Sequence, residues 1–261
     1  MPFLDINQSD IFYTDSGAGD PLVMLHGRSA SGSCWDWHIQ RLRDRYRVIA
    51  FDSVNHGFSS NSPRDEIEPD RVDELDAVLD ALGIDRPIIV GQSMGAMTTL
   101  RWAARNPRRA RAIIATGMGW PIPPIGTISP APLTDGLWLE SRNFNADWAA
   151  ENPRIIAQYS RIRSTATAIE NSLRPRPWAE NEWLAADFGS RLAAIESPVA
   201  LFVGADDFMA DPVRNLATVI SHARLEVAED AHHNAYLQCL GRFIDLIDET
   251  VEVARAAERD S

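Results

Sequence analysis

The chain has 261 residues, of which 45% are hydrophobic, a size that suits one large α/β domain with an insertion, which we expect, or two small domains. The formal net charge of −12 is spread along the chain and argues against nucleic acid or an anionic membrane as a partner, because both require a basic surface. All 25 basic residues are arginine, which excludes a Schiff-base lysine and a phosphate-loop lysine.

The opening residues MPFLDINQSD lack the basic start and the apolar run of a signal peptide. Later segments fall short of the ~20 apolar residues that cross a bilayer. We therefore expect a cytoplasmic protein with no membrane partner. Cys34 and Cys239 are far apart in sequence and have no partner at metal-ligand spacing, so we expect packing roles for both, with no metal and no cofactor.

The opening segment FLDINQSDIFYTDSG is typical of a β-hairpin, and beyond it short apolar runs alternate with helical patterns. These runs are too continuously apolar for half-exposed antiparallel strands, so they predict a mostly parallel sheet with helices on both faces. The candidate strands are Leu22–Leu25, Val48–Phe51, Ile88–Val90, Ile113–Ala115, Val199–Val203 and Leu225–Val227.

Two helical patterns between the candidate strands are the clearest. In EPDRVDELDAVLDALGID the apolar residues lie on one helical face, and Gly83 occupies the place of a C-terminal capping glycine. A second helix is predicted from Met94 to Arg105, ending before Asn106–Pro107 because the residue before a proline disfavours helical backbone.

The alternation of strands and helices breaks down between residues 117 and 195. We interpret this stretch as a helical cap inserted over the carboxyl edge of the sheet, so that residues 1–116 and 196–261 form the core domain. Its aromatic side chains either fill a small core of their own or line a substrate pocket. After the opening segment GWPIPPIGTISPAP, the stretch carries the four tryptophans Trp138, Trp148, Trp178 and Trp183.

The stretch VGQSMG contains Gly-x-Ser-x-Gly directly after a predicted strand and directly before the helix predicted from Met94. On such a tight turn, the glycines allow the strand and the helix to approach closely and the serine oxygen to be presented at the edge of the sheet. The helix start adds the positive end of its dipole and a free N–H group. This context favours Ser93 as a nucleophile over an ordinary loop residue.

A serine nucleophile requires a histidine base that is oriented by a carboxylate. Later strands lead into ADDFMADP and into EDAHHNAY, and the order serine, acid, histidine is the one expected for such an elbow. Parallel strands present their carboxyl ends on one side, so these loops converge on Ser93. A metal site at His232 and His233 is disfavoured, because adjacent residues of an extended chain point in opposite directions.

Five motifs, in this order along the chain, resemble those of the α/β-hydrolase family. They are LVMLHGRSASGSCWDW, VIAFDSVNHGFS, the elbow GQSMGA, LFVGADD and DAHHNAYLQ. The resemblance spans nearly the whole chain apart from the cap. It implies an α/β-hydrolase fold, with a mostly parallel central sheet, helices on both faces and a helical cap insertion. The segment NHGFS is similar to the corresponding segment of small carboxylesterases in the family.

The resemblance implies an oxyanion hole made of the backbone N–H groups of Arg28 and Met94. Such donors stabilise the charge that develops on a substrate carbonyl oxygen by roughly 3 kcal/mol each. We interpret the Arg28 side chain as outward-facing and solvated, in preference to a group that binds a substrate carboxylate. By the same resemblance, His26, Asp52 and His56 are structural residues that shape the loops beneath the site.

The resemblance also implies which acid and which histidine complete the triad. The family's Gly-x-x-Asp spacing selects Asp207 over Asp206. In the histidine loop, the family's Asp-Ala-Gly-His with a polar residue five positions later selects His233, with Gln238 at the polar position. His232 then occupies the glycine place, where a positive φ would strain a histidine.

These residues predict a serine hydrolase that cleaves a small carboxylic ester or lactone through an acyl-enzyme on Ser93, with a small molecule as its substrate. Three alternatives of the same fold stay open. They are a hydrolase of C–C bonds in ring-cleavage diketones, a cofactor-free perhydrolase or haloperoxidase-like enzyme, and a small-molecule receptor that retains the triad and turns over very slowly. Haloalkane dehalogenases and epoxide hydrolases of this fold require an aspartate at the elbow, where this chain has serine.

Overall fold

The computed structural model describes residues 2–62, 69–121, 142–165 and 182–259. Within these residues eight strands form a single sheet: β1 (Phe3–Ile6), β2 (Ser9–Ser16), β3 (Asp20–Leu25), β4 (Tyr46–Phe51), β5 (Ile88–Gln92), β6 (Ala112–Thr116), β7 (Val199–Gly204) and β8 (Arg224–Ala228). Their order is β1-β2-β4-β3-β5-β6-β7-β8. The hairpin β1–β2 and the pair β2–β4 are antiparallel, and every other pair is parallel. The predicted hairpin, strands and mostly parallel sheet are therefore confirmed.

Helices cover both faces of this sheet. The described residues contain a short 3-10 turn at Gly32–Trp35 and the helices α1 (Asp36–Leu42), α2 (Arg71–Ala81), α3 (Met94–Arg105), α4 (Ala146–Glu151), α5 (Pro153–Arg163), α6 (Phe188–Ala193), α7 (Ala210–Val219), α8 (Ala235–Gln238) and α9 (Leu240–Arg259). The hydrophobic residues of α2, α3, α6 and α7 pack on one face, and those of α1, α8 and α9 on the other.

Each central strand contributes to two hydrophobic cores because successive side chains point to opposite faces of a sheet. In β3, Val23 and Leu25 enter the core beneath α2 and α3, whereas Leu22 and Met24 enter the core beneath α1 and α9. All four side chains are almost completely buried. A strand that is buried on both faces must be apolar at every position, which is the continuous pattern seen in the sequence.

The two helices that the sequence predicts most clearly have physical start and stop signals. Asp70 caps α2, its carboxylate accepting from the Val72 amide at 3.0 Å. After α2, Gly83 adopts a φ of +65°, a left-handed backbone that suits glycine and ends the helix. Helix α3 has the predicted bounds and ends at Arg105, directly before Asn106, which precedes the proline.

The register of the parallel strands brings their carboxyl ends to one edge. Leu25 at the end of β3 pairs with Phe51 of β4 and with Gly91 of β5. Farther along the sheet, Thr116 of β6 pairs with Phe202 of β7. The loops that follow these strands therefore lie side by side, as parallel strands require.

The predicted cap, residues 117–195, is described only in part. Residues 122–141 and 166–181, which include Trp138 and Trp178, lie outside the described residues, so the domain boundaries stay a prediction. Trp183 is fully buried in the core beneath α3, with its ring 5.0 Å from that of Phe188. Trp183 thus fills the main core, and Trp148 stacks on Phe144 with the ring centroids 5.4 Å apart.

Within the described ranges, the helices are all too short or too polar to cross a bilayer.

Candidate functional site

Ser93 stands in a strained backbone conformation at the turn between β5 and α3. Its φ of 51° and ψ of −111° lie outside the regions that side chains ordinarily adopt, at a cost of about 1–3 kcal/mol. The Ser93 amide donates to the Thr116 carbonyl at 2.9 Å, and its carbonyl accepts from the Met97 amide at 2.9 Å. The turn is therefore held from both sides, and the hydroxyl is left at the sheet edge.

Two glycines make this turn possible. A Cβ atom at Gly91 would overlap the backbone of Gly95 and the Thr99 hydroxyl. A Cβ atom at Gly95 would overlap the carbonyl group of Leu25 at the end of β3. Helix α3 can approach the strands this closely only because both positions lack a side chain. The interpretation of the Gly-x-Ser-x-Gly stretch as a tight strand-to-helix turn is confirmed.

The structure brings together the three predicted triad residues. His233 Nε2 lies 3.0 Å from Ser93 Oγ, and His233 Nδ1 lies 3.0 and 3.1 Å from the two carboxylate oxygens of Asp207. The side chain of Asp207 is fully buried and that of His233 is 10% exposed. With Nδ1 donating to the carboxylate, Nε2 is left as an acceptor for the serine hydroxyl proton, which is the arrangement that general-base activation requires.

Asp207 and its neighbour Asp206 have different environments. Asp207 Oδ1 also accepts from the Met209 amide at 2.9 Å, which fixes the carboxylate beside the imidazole. The side chain of Asp206 is 58% exposed and lies 4.0 Å from His232 Nε2. Of the two aspartates, only Asp207 contacts His233 through its side chain.

The histidine loop has the predicted register but a different strained residue. Gln238 Oε1 accepts from the His232 amide at 2.9 Å, and Gln238 Nε2 donates to the Asp230 carbonyl at 3.4 Å. Gln238, at the polar position, thus makes two hydrogen bonds within the loop and stabilises it. The residue with positive φ is Asp230, at 54°, and His232 does not adopt a left-handed backbone. The strain anticipated at His232 is therefore absent.

The loop after β3 lies against the elbow. A Cβ atom at Gly27 would overlap the Gln92 side-chain amide and would lie 3.4 Å from Ser93 Cβ. Glycine at this position therefore lets the loop contact the nucleophile directly. Arg28 follows Gly27 on this loop, and Met94 follows Ser93 at the start of α3. The oxyanion role of their backbone N–H groups stays a prediction. The Arg28 residue is exposed, in agreement with the outward-facing interpretation of its side chain.

His26 braces this loop from below. The Ser53 amide donates to His26 Nε2 at 3.1 Å, so Nδ1 carries the proton and donates to the Gly27 carbonyl at 2.8 Å. The ring of His56 packs 4.9 Å from the ring of His26. His56 Nδ1 lies 3.1 Å from the Val54 carbonyl oxygen. These contacts agree with the expected role of both histidines in shaping the loops.

Asp52 organises the neighbouring loop. Its carboxylate accepts from the Gly32 amide at 2.7 Å and from the Phe58 amide at 2.8 Å. Burial raises the pKa of Asp52 to about 6, although the two amide donors favour the charged form. The prediction of a structural role for Asp52 agrees with these contacts.

Sequence reasoning missed an aromatic contact with the triad. The ring of Phe208 stacks on the imidazole of His233 with centroids 4.6 Å apart, and the guanidinium of Arg142 lies 4.8 Å from the Phe208 centroid. The Arg142 carbonyl oxygen also accepts a hydrogen bond from the His233 amide at 3.4 Å. Phe208 directly follows the acid in the sequence, which is the one signal available before the fold is known.

The arrangement has three components of nucleophilic acyl chemistry: a presented hydroxyl, a hydrogen-bonded base and a buried acid. Among the residues that the structure describes, no three His, Cys, Asp or Glu side chains converge as a metal site would require.

Comparisons with known proteins identify the relatives of this chain. The model of the Alpha/beta hydrolase family matches residues 22–246. The 2-hydroxy-6-oxononadienedioate/2-hydroxy-6-oxononatrienedioate hydrolase 2 of Pseudomonas putida is 31% identical over 217 residues, covering 76% of this chain and 75% of the relative. The non-heme haloperoxidase of Rhodococcus erythropolis is 27% identical, covering 89% and 93%. In two other relatives the match covers 36% and 34% of their own length.

Among solved structures, an N-acyl homoserine lactone degrading enzyme is similar with a TM-score of 0.78 and 26% identity. The similarity covers 95% of this chain and 99% of that enzyme. The predicted fold class is therefore confirmed by the sheet topology, the family model and this structural neighbour.

Proposed function

This chain belongs to the alpha/beta hydrolase family, and from that premise we propose that it is a serine hydrolase that cleaves a small carboxylic ester or lactone through an acyl-enzyme on Ser93. The observation that carries the proposal is the continuous hydrogen-bonded path from Ser93 through His233 to Asp207. The lactone arm is supported by the likeness to the N-acyl homoserine lactone degrading enzyme.

In the proposed acylation step, Ser93 Oγ attacks the substrate carbonyl carbon while His233 Nε2 takes the hydroxyl proton. The amides of Met94 and Arg28 donate to the oxygen that becomes negatively charged. Asp207 stabilises the imidazolium and holds its tautomer. When the tetrahedral intermediate collapses, His233 returns the proton to the departing alkoxide, so an alcohol leaves and the acyl group stays on Ser93.

In the proposed deacylation step, a water molecule takes the place of the alcohol. His233 removes a proton from the water as it attacks the acyl carbon, and then returns the proton to Ser93 Oγ as the carboxylic acid departs. With a lactone, the alcohol and the acid are parts of one product. The cycle requires only side chains, backbone donors and water.

The proposal is tested at the nucleophile. Ser93→Ala should fold as the wild type does, yet lose covalent labelling by a fluorophosphonate and nearly all hydrolysis of p-nitrophenyl esters, because no acyl-enzyme can form. Ser190→Ala, at an exposed position on α6, is the matched control and should retain both properties. Labelling of the Ser93→Ala protein at the wild-type rate would overturn the proposal.

A second candidate is hydrolysis of a C–C bond in a ring-cleavage diketone. The specific observation in its favour is the 31% identity to the Pseudomonas putida hydrolase over three quarters of both chains. The same triad can serve this reaction, with water as the final nucleophile and a carbanion equivalent as leaving group. A parallel screen separates the two: a kcat/KM for a 2-hydroxy-6-oxo-dienoate far above that for any ester or lactone would favour C–C cleavage.

Haloperoxidase-like oxidation and a receptor function are further outcomes of this screen. The former is supported by the likeness to the Rhodococcus erythropolis enzyme and would appear as peracid formation from a carboxylic acid and hydrogen peroxide. A receptor would bind its ligand tightly with almost no turnover. Many turnovers per molecule on an ester or lactone panel would count against a receptor.

A further inference from the structure

The carbonyl group of Arg28 is bound by a side chain that comes from a distant part of the chain. Arg163 Nη1, at the end of α5, donates to the Arg28 carbonyl oxygen at 2.9 Å. The two residues are 135 positions apart. A guanidinium on a neutral carbonyl forms a charge-assisted hydrogen bond, which is stronger and more directional than a bond between neutral groups.

The guanidinium of Arg163 is held in place by its own helix. It lies 5.5 Å from the ring centroid of Tyr159, one turn earlier on α5. Tyr159 is buried and packs edge-on against Phe144 at 4.9 Å. Because the aromatic ring is fixed, the cation above it is directed to one place, and the hydrogen bond to Arg28 is made by a preordered donor.

The same helix is anchored to the residues that follow the Arg28 loop. Gln158 donates to the Ser33 carbonyl and to the Asp36 carboxylate, both at 2.9 Å. Its amide oxygen accepts from Trp37 Nε1 at 2.6 Å. Helix α5 therefore lies rigidly along the start of α1, and Arg163 reaches back from this anchor to the loop.

The position of the Arg28 carbonyl bears on the direction of the Arg28 amide. A peptide unit is planar, so the Arg28 N–H points opposite to the Gly27 carbonyl. That carbonyl is held by His26 Nδ1 at 2.8 Å and by the Ala30 amide at 3.2 Å. Ser29, the next residue, has a positive φ of 57°, so the Arg28 carbonyl is turned away from regular structure. Arg163 binds it there, so the peptide unit after Arg28 is held by Arg163 and the unit before it by His26 and Ala30. Both rotations at the Arg28 Cα that connect the two units are thus constrained.

We infer that Arg163 is a positioning residue for the oxyanion hole: by binding the Arg28 carbonyl, it holds the Arg28 N–H in the direction that the developing oxyanion requires. The inference rests on the proposed function of the Ser93 site. It makes the insertion between β6 and β7 a contributor to the chemical step. The contact is at the surface of the protein, so its loss should affect transition-state stabilisation far more than folding.

The test compares Arg163→Met with Arg161→Met, an exposed arginine on the same helix. The readouts are the second-order rate of fluorophosphonate labelling, which needs no knowledge of the natural substrate, and kcat and KM for a p-nitrophenyl ester. Removal of an oxyanion donor costs about 10²–10³ in kcat, and a misdirected donor should cost less, about 10- to 100-fold in kcat and in labelling rate. KM should stay within about twofold, because the contact acts in the transition state.

Two further variants separate positioning from general loosening of the insertion. Arg163→Lys keeps a cationic donor and should recover most of the labelling rate. Arg163→Ala should be accelerated by added guanidinium ion at concentrations too low to denature, whereas Arg161→Ala should not respond. Thermal unfolding midpoints should match the wild type throughout.

Labelling and kcat of Arg163→Met equal to those of Arg161→Met would overturn the inference. A raised KM with no response to guanidinium would also overturn it, because it would indicate a role in substrate binding or in the fold. Both results are interpreted only after the fluorophosphonate has been shown to label Ser93 of the wild-type protein. Failure of the proposed function would instead appear as wild-type labelling in Ser93→Ala.

Discussion

Two aspartates at the sheet edge are almost equally buried, yet their surroundings differ. Asp52 follows β4 and is 2% exposed, whereas Asp207 follows β7 and is 5% exposed. Asp52 accepts two backbone amides, from Gly32 and Phe58. Asp207 accepts one backbone amide and the imidazole of His233. The first carboxylate closes a loop of the fold, and the second orients a group that can move a proton.

The difference shows that burial alone does not distinguish a structural carboxylate from a catalytic one. A backbone amide never changes its protonation, so a carboxylate bound only to amides can contribute only geometry. An imidazole gains a proton during acyl transfer, so a carboxylate that faces it acquires a different energy in the transition state. Substitutions at the two positions should therefore affect different quantities.

Of the two aspartates, Asp207 should show the larger loss of turnover on substitution. Asp207→Asn should lower kcat by about 10⁴, because the neutral amide does not stabilise the imidazolium and permits the wrong tautomer. The fold should be unchanged. The check is steady-state kinetics with a p-nitrophenyl ester alongside circular dichroism. An Asp207→Asn protein that retains more than a tenth of the wild-type kcat would remove Asp207 from the triad.

At Asp52 the expected loss is in stability. Asp52→Asn leaves the buried Gly32 and Phe58 amides with a poorer acceptor and should lower the free energy of unfolding by roughly 3 kcal/mol, because each buried unsatisfied donor costs 1–3 kcal/mol. The kcat of the folded fraction should stay within a few fold. Urea unfolding measures the first quantity and active-site titration the second. An Asp52→Asn protein that keeps the wild-type free energy of unfolding but loses turnover would contradict a purely structural role for Asp52.

A pH series sharpens the assignment of Asp52. Its pKa is raised by burial from 3.8 to about 6, so between these values the folded state binds more protons than the unfolded state. The contribution of Asp52 to the free energy of unfolding therefore falls as pH rises from about 4 to about 6. By linkage, this contribution is about 2 kcal/mol larger at pH 4.5 than at pH 7. The wild-type free energy of unfolding, minus that of Asp52→Asn, should grow by this amount on acidification. A difference that is flat with pH would contradict the raised pKa.

The smallest effects are expected at the neighbours of the triad. Asp206→Asn should leave kcat within about threefold, because its carboxylate is exposed and 4.0 Å from His232. His232→Gly should behave alike, whereas His233→Ala should abolish turnover together with the dependence of kcat on deprotonated imidazole. An active His233→Ala protein beside an inactive His232→Gly protein would show that the register of the histidine loop is wrong.

Much of the site was predictable because it depends on short stretches of chain. The turn at Ser93 follows from two glycines placed between a buried strand and a helix start. The resemblance to the family selected Asp207 by the Gly-x-x-Asp spacing after β7. It also placed Gln238 at a polar position, and the contacts of Gln238 prove to hold the loop. Strain at His232 was the exception. The left-handed residue is Asp230, because the backbone of a loop depends on all its hydrogen bonds and not on one position.

Contacts between elements that are distant in the sequence could not be predicted. Arg163 bonds a carbonyl 135 residues away, and Phe208 stacks on an imidazole of another loop. The proline-rich stretch GWPIPPIGTISPAP and the weakly periodic helical patterns do not predict such pairs, because neither composition nor periodicity carries a distance between separate elements. Trp183 is similar: its burial in the core beneath α3 follows from how the chain returns to the sheet.

The sequence by itself determined the parallel sheet, the bounds of α3, the elbow at Ser93 and the order of the residues that converge on it. These follow from local steric limits and from the alternation of buried faces, which act within one strand or turn. Only the tertiary structure decided that His233 Nε2 reaches Ser93 at 3.0 Å, that Asp52 and Asp207 face different donors, and that Arg163 reaches the Arg28 carbonyl. Those contacts depend on the packing of elements far apart in the chain, where an ångström of displacement makes or breaks a hydrogen bond.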